Sequence, residues 1–177
     1  MSPEDRELTI RRILVPLDES AHSQAALEAA TTLAAALDAE ISGLYVEDTE
    51  LLELSRYPFF REVCSHAVRA LSTDVLERDL RLQADRIRRR MAECARHANV
   101  TWRFEVRRGG VRTIVLERTG EADLTVIGRT GRTLFRSAIG STVRHLISHG
   151  KGPTLILHEG MQLISPIMAV YTGSDLS

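Results

Sequence analysis

The stretch Ile13-Leu14-Val15-Pro16-Leu17-Asp18-Glu19-Ser20 decides the fold of this chain. Its continuous apolar run predicts a buried strand over residues 10–17, of the kind that parallel sheets contain. A polar turn follows, and Ser20 can N-cap a helix that runs to about Leu37. The stretch therefore predicts a strand that leads directly into a helix, as at the start of an α/β domain.

Strands and helices continue to alternate along the chain. Apolar runs and helical stripes predict further strands at residues 40–46, 100–106, 123–127 and 153–157, and helices at residues 72–98, 111–116 and 141–149. Residues 47–71 interrupt this pattern and predict an apolar loop or a short helical insert that contains Phe59 and Phe60. Such alternation is typical of a three-layer α/β/α sandwich with a mostly parallel sheet and right-handed crossovers.

Length and composition restrict the class of protein. The 177 residues carry a net charge of -1 and 27% of them are charged, which indicates one soluble globular domain. We therefore expect no nucleic-acid partner. The apolar runs are too short to span a membrane, and the first residues do not resemble a signal peptide. Because Cys64 and Cys94 form no CxxC pair, a reducing compartment is favoured, and we expect a cytoplasmic location.

The last residues of the chain resemble its beginning. Residues 167–174, Ile-Met-Ala-Val-Tyr-Thr-Gly-Ser, have the same apolar run, turn and closing serine as residues 13–20. One interpretation is a domain at residues 1–160, followed at residues 161–177 by a tail that resembles the first strand of a truncated second copy. The other interpretation is an apolar tail whose similarity is accidental.

The predicted strand ends also indicate where a ligand would bind. Open parallel α/β sheets bind ligands at the carboxyl ends of their strands, where the strand order reverses. The strand at residues 123–127 leads there into Gly128-Arg129-Thr130-Gly131, and Gly140-Ser141-Thr142 begins the next helix. Glycines let backbone N–H groups approach an anion, and a helix start offers free N–H donors. Arg129 and Arg132 add positive charge, so these residues predict an anion site.

Two common nucleotide motifs are not present at this place. No Gly-Lys-Ser or Gly-Lys-Thr follows the glycines, as a P-loop requires. The dinucleotide pattern GxGxxG normally follows the first strand, and no such pattern follows the first strand here. A turn followed by a helix cap is the simpler alternative explanation for the glycines.

Taken together, the sequence resembles the universal stress protein family over about residues 10–158. The resemblance rests on residues 13–20, on Ala122-Asp123-Leu124-Thr125-Val126-Ile127-Gly128, on Gly128-x-x-Gly131 with Gly140-Ser141, and on Gly152-Pro153-Thr154-Leu155-Ile156-Leu157. It implies a Rossmann-like, five-stranded parallel sheet of strand order 3-2-1-4-5. It also implies a stress-response regulatory protein rather than an enzyme, in which slow ATP hydrolysis would be incidental. Many family members are tandem copies, which favours the first domain of a tandem protein.

The resemblance further implies a ligand, ATP or AMP accompanied by Mg²⁺. Asp18 would then meet the nucleoside, the backbone near Val46 would contact the adenine, and the glycines with Ser141 would hold ribose and phosphates. We expect neither catalytic residues nor metal ligands among the protein side chains. The complete set of expected binding residues is Pro16, Leu17, Asp18, Ser20, Val46, Ile127, Gly128, Arg129, Gly131, Arg132, Gly140, Ser141 and Thr142.

One spacing departs from the family's nucleotide-binding pattern. Eight residues, 132–139, separate Gly131 from Gly140, one fewer than that pattern has. The shorter loop predicts a tighter or incomplete phosphate site. The alternative function is therefore a nucleotide-free, dimeric interaction domain of the same family.

The resemblance also implies a partner, a second copy of this chain. Family members usually pair through their last strand, which is residues Thr154 to His158 here. The tail at residues 161–177 is a second candidate for assembly, because a strand within it could add to a sheet edge or cross to a partner chain.

Some of these residues also have ordinary structural explanations. Asp18 is a common helix-capping turn residue. His145 and His149 lie four residues apart on a predicted helix, and we interpret them as a surface or interface pair rather than metal ligands. Cys94 is interpreted as ordinary packing.

Overall fold

The computed structural model describes residues 9–57, 61–64, 67–70, 73–131, 139–150, 152–161 and 163, with the backbone alone for 61–64 and 67–70. In chain order its elements are β1 (Arg12–Pro16), α1 (Ala21–Leu37), β2 (Glu40–Asp48), α2 (Thr49–Leu54), β3 (Arg61–Cys64), β4 (Ala67–Ala70), α3 (Thr73–Ala98), β5 (Trp102–Gly109), α4 (Val111–Thr119), β6 (Leu124–Gly128), α5 (Ser141–His149) and β7 (Thr154–Leu157).

Five of these strands form one parallel sheet in the order β5-β2-β1-β6-β7. Counted along the sheet-forming strands alone, this is the order 3-2-1-4-5, so the predicted fold class is confirmed. The chain moves from β1 outward to β2 and β5, and then returns to the other side of β1 with β6. The strand order therefore reverses between β1 and β6, which places the expected ligand site at their carboxyl ends.

The sheet is covered on both faces, which makes the three layers. Ile13, Val15 and Ile41 belong to a buried cluster with residues of α1 and α3. Side chains that alternate with them, Leu14 and Leu44, pack on the other face with residues of α4 and α5. Two buried faces explain why the strands appear in the sequence as continuous apolar runs.

Helix α1 begins as its sequence predicts. The Ser20 side chain accepts a hydrogen bond from the Ser23 N–H, and so occupies the N-cap position. The helix ends at Asp38, whose left-handed φ of 52° stops further helical hydrogen bonding. In α3 the predicted apolar stripe is buried, as expected: Leu76, Leu80, Ala84, Ile87, Met91 and Ala95.

The region between β2 and α3 differs most from the prediction. Strand β2 continues to Asp48, two residues beyond the predicted end, because Glu47 and Asp48 pair with Arg108 and Gly109 of β5. The short helix α2 agrees with the predicted insert, but an antiparallel hairpin of β3 and β4 follows it, which was not predicted. Phe59 and Phe60 lie outside the described residues.

Strand β5 lies at one edge of the sheet, as its more polar face predicts. Strand β7 lies at the other edge. Within the described ranges, none of the helices is both long enough and apolar enough to cross a membrane.

Candidate functional site

A cleft of about 860 Å³ opens at the carboxyl ends of β1, β2 and β6. Cavities of this size accommodate ligands as large as a nucleotide. Most of the binding residues expected from the sequence line it: Pro16, Leu17, Asp18, Ser20, Val46, Ile127, Gly128, Gly131, Gly140, Ser141 and Thr142. The topology therefore brings four separate segments of the chain together at one site.

The turn after β1 is held by its own hydrogen bonds. One carboxylate oxygen of Asp18, Oδ1, accepts hydrogen bonds from the Ser20 N–H at 2.9 Å and from its hydroxyl at 2.5 Å. The Asp18 N–H donates to the Ser23 hydroxyl at 2.9 Å. Asp18 is therefore a turn residue that supports Ser20, whereas Ser20 itself caps the helix. The Asp18 side chain also lines the cleft, so its structural role leaves it in place for ligand contact.

Gly131 and Asp18 approach each other across the cleft. A Cβ atom added to Gly131 would lie 2.8 Å from Asp18 Oδ2. Any larger residue at position 131 would therefore displace the carboxylate. The Ser20 hydroxyl lies 3.4 Å from the Thr130 carbonyl oxygen, a further weak link between this turn and the glycine loop.

The two described ends of the shortened glycine loop lie close together. The Gly140 N–H donates to the Arg129 carbonyl oxygen at 2.9 Å. A Cβ atom at Gly140 would stand 3.3 Å from both the Arg129 oxygen and the Thr130 Cα, closer than most Cβ contacts. Despite the eight-residue spacing, the two ends of the loop thus meet at the cleft, and a side chain at position 140 would press on the backbone of Arg129 and Thr130.

Helix α5 begins at the cleft without a side-chain cap. Gly140 is its N-cap residue and makes no side-chain hydrogen bond to the first turn. The first N–H groups of such a helix have no partner within the helix, and the helix dipole makes this end positive. Ser141, Thr142 and Val143 all line the cleft. This end of the site is chemically suited to an anion.

The expected binding residue Arg129 does not line the cleft, and the placement of the other expected arginine is not described. The Arg129 N–H instead donates to the Leu157 carbonyl oxygen at 2.6 Å and extends the β6–β7 ladder. Its position directly after the strand makes its backbone part of the sheet, which the sequence did not indicate. Arg132 lies outside the described residues.

The structure adds a wall that was not predicted. Asp48, Glu50, Asp79 and Gln83, from the end of β2, from α2 and from α3, also line the cleft. The Tyr45 hydroxyl lies 3.0 Å from Gln83 Oε1 and joins β2 to α3 there. Asp79 and Gln83 are spaced i,i+4 beside the apolar stripe of α3, the only sequence signal that could have indicated this wall.

Arg112 in the first turn of α4 also lines the cleft and was not predicted. Its guanidinium lies 3.9 Å from Glu50 Oε1, and both side chains are exposed. Helix α4, like α5, starts at a glycine, Gly110, without a side-chain cap.

Two remaining sequence interpretations concern residues away from the cleft. The rings of His145 and His149 lie 4.4 Å apart on α5, and the exposed His149 contacts the His145 carbonyl oxygen. Cys94 packs against the main core as expected, and its burial raises the pKa of the thiol.

A parallel sheet of this strand order, with a cleft at its switch point, defines a doubly wound α/β domain. The sequence matches the model of the universal stress protein family over residues 9–158. The chain belongs to this family.

Solved structures of the family share the fold. The UspA protein of Lactobacillus plantarum is 22% identical with a TM-score of 0.62, over 84% of this chain and 97% of that one. A universal stress protein in complex with cAMP is 23% identical with a TM-score of 0.60, over 86% and 99% of the two chains. An Arabidopsis thaliana family protein with AMP bound is 12% identical with a TM-score of 0.54, over 85% and 92%. No curated protein sequence gives a significant match.

Proposed function

We propose that this protein is a stress-response regulatory domain that binds an adenine nucleotide, ATP or AMP, in the cleft at the carboxyl ends of β1, β2 and β6. One observation carries the proposal. The glycine loop and the uncapped start of α5 converge at one end of a cleft that extends toward the end of β2. Two structures of the same fold hold cAMP and AMP, which supports the same class of ligand here.

The lining residues suit the separate parts of such a ligand. The N–H groups and hydroxyls of Ser141 and Thr142 would bind phosphate oxygens. Asp18, held in its turn by Ser20, would accept hydrogen bonds from ribose hydroxyls. Val46 and Ile127 provide apolar surface for the base. With ATP, Mg²⁺ would be held chiefly by the phosphates, since such sites take only one or two protein carboxylates.

Isothermal titration calorimetry with ATP and AMP tests the proposal. We expect binding by the natural sequence, and loss of binding in Gly131→Val and Gly140→Val. At position 131 the added atoms displace Asp18, and at position 140 they press on the backbone of the loop. Gly152→Ala is the matched control, because its Cβ would lie 3.9 Å from the nearest atom, outside the cleft. Absence of binding at millimolar ATP would overturn the proposal.

A second function is favoured by the charge of the cleft. Four carboxylates, of Asp18, Asp48, Glu50 and Asp79, line it, against the single arginine Arg112 among the described lining residues. This excess of negative charge opposes the binding of a polyphosphate and favours a nucleotide-free interaction domain. Heating the purified protein distinguishes the two proposed functions. Release of material with adenine absorbance would contradict the nucleotide-free function.

The regulatory role has a consequence for assembly. A bound nucleotide would act by changing contacts with a second copy, and we propose the outer edge of β7 with the residue after it, Thr154 to His158, as the contact between copies. Any ATP hydrolysis would be slow and incidental under this proposal. Strand exchange by residues 161–177 also remains a proposal, and nearly all of that tail lies outside the described residues.

A further inference from the structure

The cleft is electrostatically asymmetric. Three of its carboxylates, of Asp48, Glu50 and Asp79, belong to the wall formed by the end of β2 and by α2 and α3. The starts of α4 and α5, both without a side-chain cap, also border the cleft. Uncapped helix starts carry partial positive charge. Any charged ligand would therefore be oriented in the cleft, with its anionic part toward α4 and α5.

Arg112 adds a full positive charge at the start of α4. It is the second residue of α4, and its neighbours Val111 and Val115 also line the cleft. Among the lining residues that the structure describes, it is the one with a cationic side chain. A guanidinium grips a phosphate through two parallel hydrogen bonds, which a neutral side chain of similar length cannot reproduce.

The present partner of Arg112 holds it only weakly. The contact to Glu50 is 3.9 Å long, and the two side chains are 56% and 70% exposed. Exposed ion pairs of this kind contribute little to stability, because water screens the charges and both side chains lose conformational freedom. Arg112 can therefore exchange Glu50 for a ligand phosphate without loss of a strong interaction, while Glu50 competes with that phosphate.

We infer that Arg112 selects 5′-phosphorylated adenine nucleotides over adenosine, and that Glu50 opposes this selection as the competing counter-charge. The inference rests on the proposed function and assigns a residue of α4, outside the glycine loop, to phosphate recognition. It also explains how a cleft with several carboxylates could still favour an anionic ligand.

Titration of the full chain with ATP, AMP and adenosine tests the assignment. In Arg112→Gln we expect the affinity for ATP to fall about tenfold and the affinity for adenosine to change less than about twofold. In Glu50→Gln we expect ATP to bind about two- to threefold more tightly, because the competitor is gone. Arg88→Gln, an exposed arginine of α3 away from the cleft, is the matched control and should change neither affinity.

The outcomes separate this inference from the proposed function. If the natural sequence binds ATP and Arg112→Gln binds it equally well, the assignment of Arg112 is wrong and the proposed function stands. The assignment is also wrong if Arg112→Gln weakens the binding of adenosine as much as the binding of ATP. If the natural sequence binds none of the three ligands, both are overturned. Thermal unfolding of each variant checks the fold, and we expect no change for Arg112→Gln because its pair with Glu50 is exposed.

Discussion

Gly128, the last residue of β6, lies against the backbone of His22 in the first turn of α1. A Cβ atom at position 128 would stand 2.7 Å from the His22 carbonyl carbon and 2.8 Å from the Ser23 nitrogen. These are backbone atoms, which cannot rotate away as a flexible side chain does. Glycine is thus required here for the packing of a helix on the sheet, whether or not a ligand binds.

We therefore predict that Gly128→Ala destabilises the protein by about 1–3 kcal/mol, the usual cost of forcing extra atoms into a packed site. Urea unfolding without nucleotide measures it. Gly152→Ala should change the free energy of unfolding far less, since its Cβ would have its nearest neighbour at 3.9 Å. If the two variants are equally stable, the close approach of β6 to α1 is not the reason that glycine is required at position 128.

The end of β2 carries a buried carboxylate that β5 neutralises. Glu47 is 8% exposed, and its Oε2 accepts a hydrogen bond from Arg108 Nε at 2.9 Å. This hydrogen bond raises the pKa of Arg108, and Glu77 of α3 binds the same guanidinium at 3.2 Å. Removing a partner from a buried charge costs more than removing an exposed one.

We predict that Arg108→Gln lowers the urea midpoint of unfolding more than Glu77→Gln does, because the first variant leaves Glu47 unpaired and the second does not. The double variant Glu47→Gln/Arg108→Gln should recover part of the loss. A larger effect for Glu77→Gln than for Arg108→Gln would contradict the central role of Glu47.

Much of the fold was predictable because its signals are local. Buried parallel strands such as Ile13-Leu14-Val15 are apolar runs, and the stripe of α3 repeats with the helical period. The end of β2 was missed because Glu47 and Asp48 are strand residues only by pairing with β5, more than fifty positions away in the chain. The β3–β4 hairpin was missed because residues 47–71 were interpreted as an apolar loop or a helical insert, and not as strands.

The site was predictable to the same extent. The turn with Asp18 and the glycine loop directly follow predicted strands, so their meeting at the carboxyl ends depends on topology alone. Asp79, Gln83 and Arg112 lie on helices, and which face of a helix borders a cleft depends on how the helix crosses the sheet. That crossing is set by packing and not by the local pattern.

The start of β6 is linked to β1 by a titratable group. The backbone N–H groups of Arg11 and Arg12 donate to Asp123 Oδ2 at 3.0 and 2.8 Å, and this holds the pKa of Asp123 below its usual range. A lowered pKa in the folded state stabilises the protein above the unfolded pKa, and the contribution is lost as the pH falls through the folded value.

Asp123→Ala should therefore lower the free energy of unfolding by about 1 kcal/mol at pH 7, the usual value for such hydrogen bonds at a solvated site. The difference between the variant and the natural sequence should shrink as the pH falls below about 4, the ordinary pKa of an aspartate, because the unfolded chain then takes up a proton before the folded protein does. Urea unfolding at several pH values measures this. A difference that grows toward low pH would contradict the assigned sign.

The outer edge of β7 gives the last prediction, on the proposed contact between copies. The Thr125 and Arg129 N–H groups donate to the carbonyl oxygens of Pro153 and Leu157, so these residues face β6. Because backbone groups alternate along a strand, Thr154 and Ile156 direct theirs away from β6, where the described residues provide no neighbouring strand. A second copy would pair with these groups to extend the sheet.

Ile156→Pro removes one outward N–H group and leaves the ladder to β6 intact, a change that edge strands tolerate. If the copies pair through this edge, the natural sequence should be a dimer in light scattering after size exclusion, and Ile156→Pro a monomer. Ile156→Ala is the control that separates hydrogen bonding from packing, since it loses side-chain contacts but keeps the N–H group and should remain dimeric. A dimeric Ile156→Pro would place the contact elsewhere, and deletion of residues 161–177 would then show whether the tail makes it.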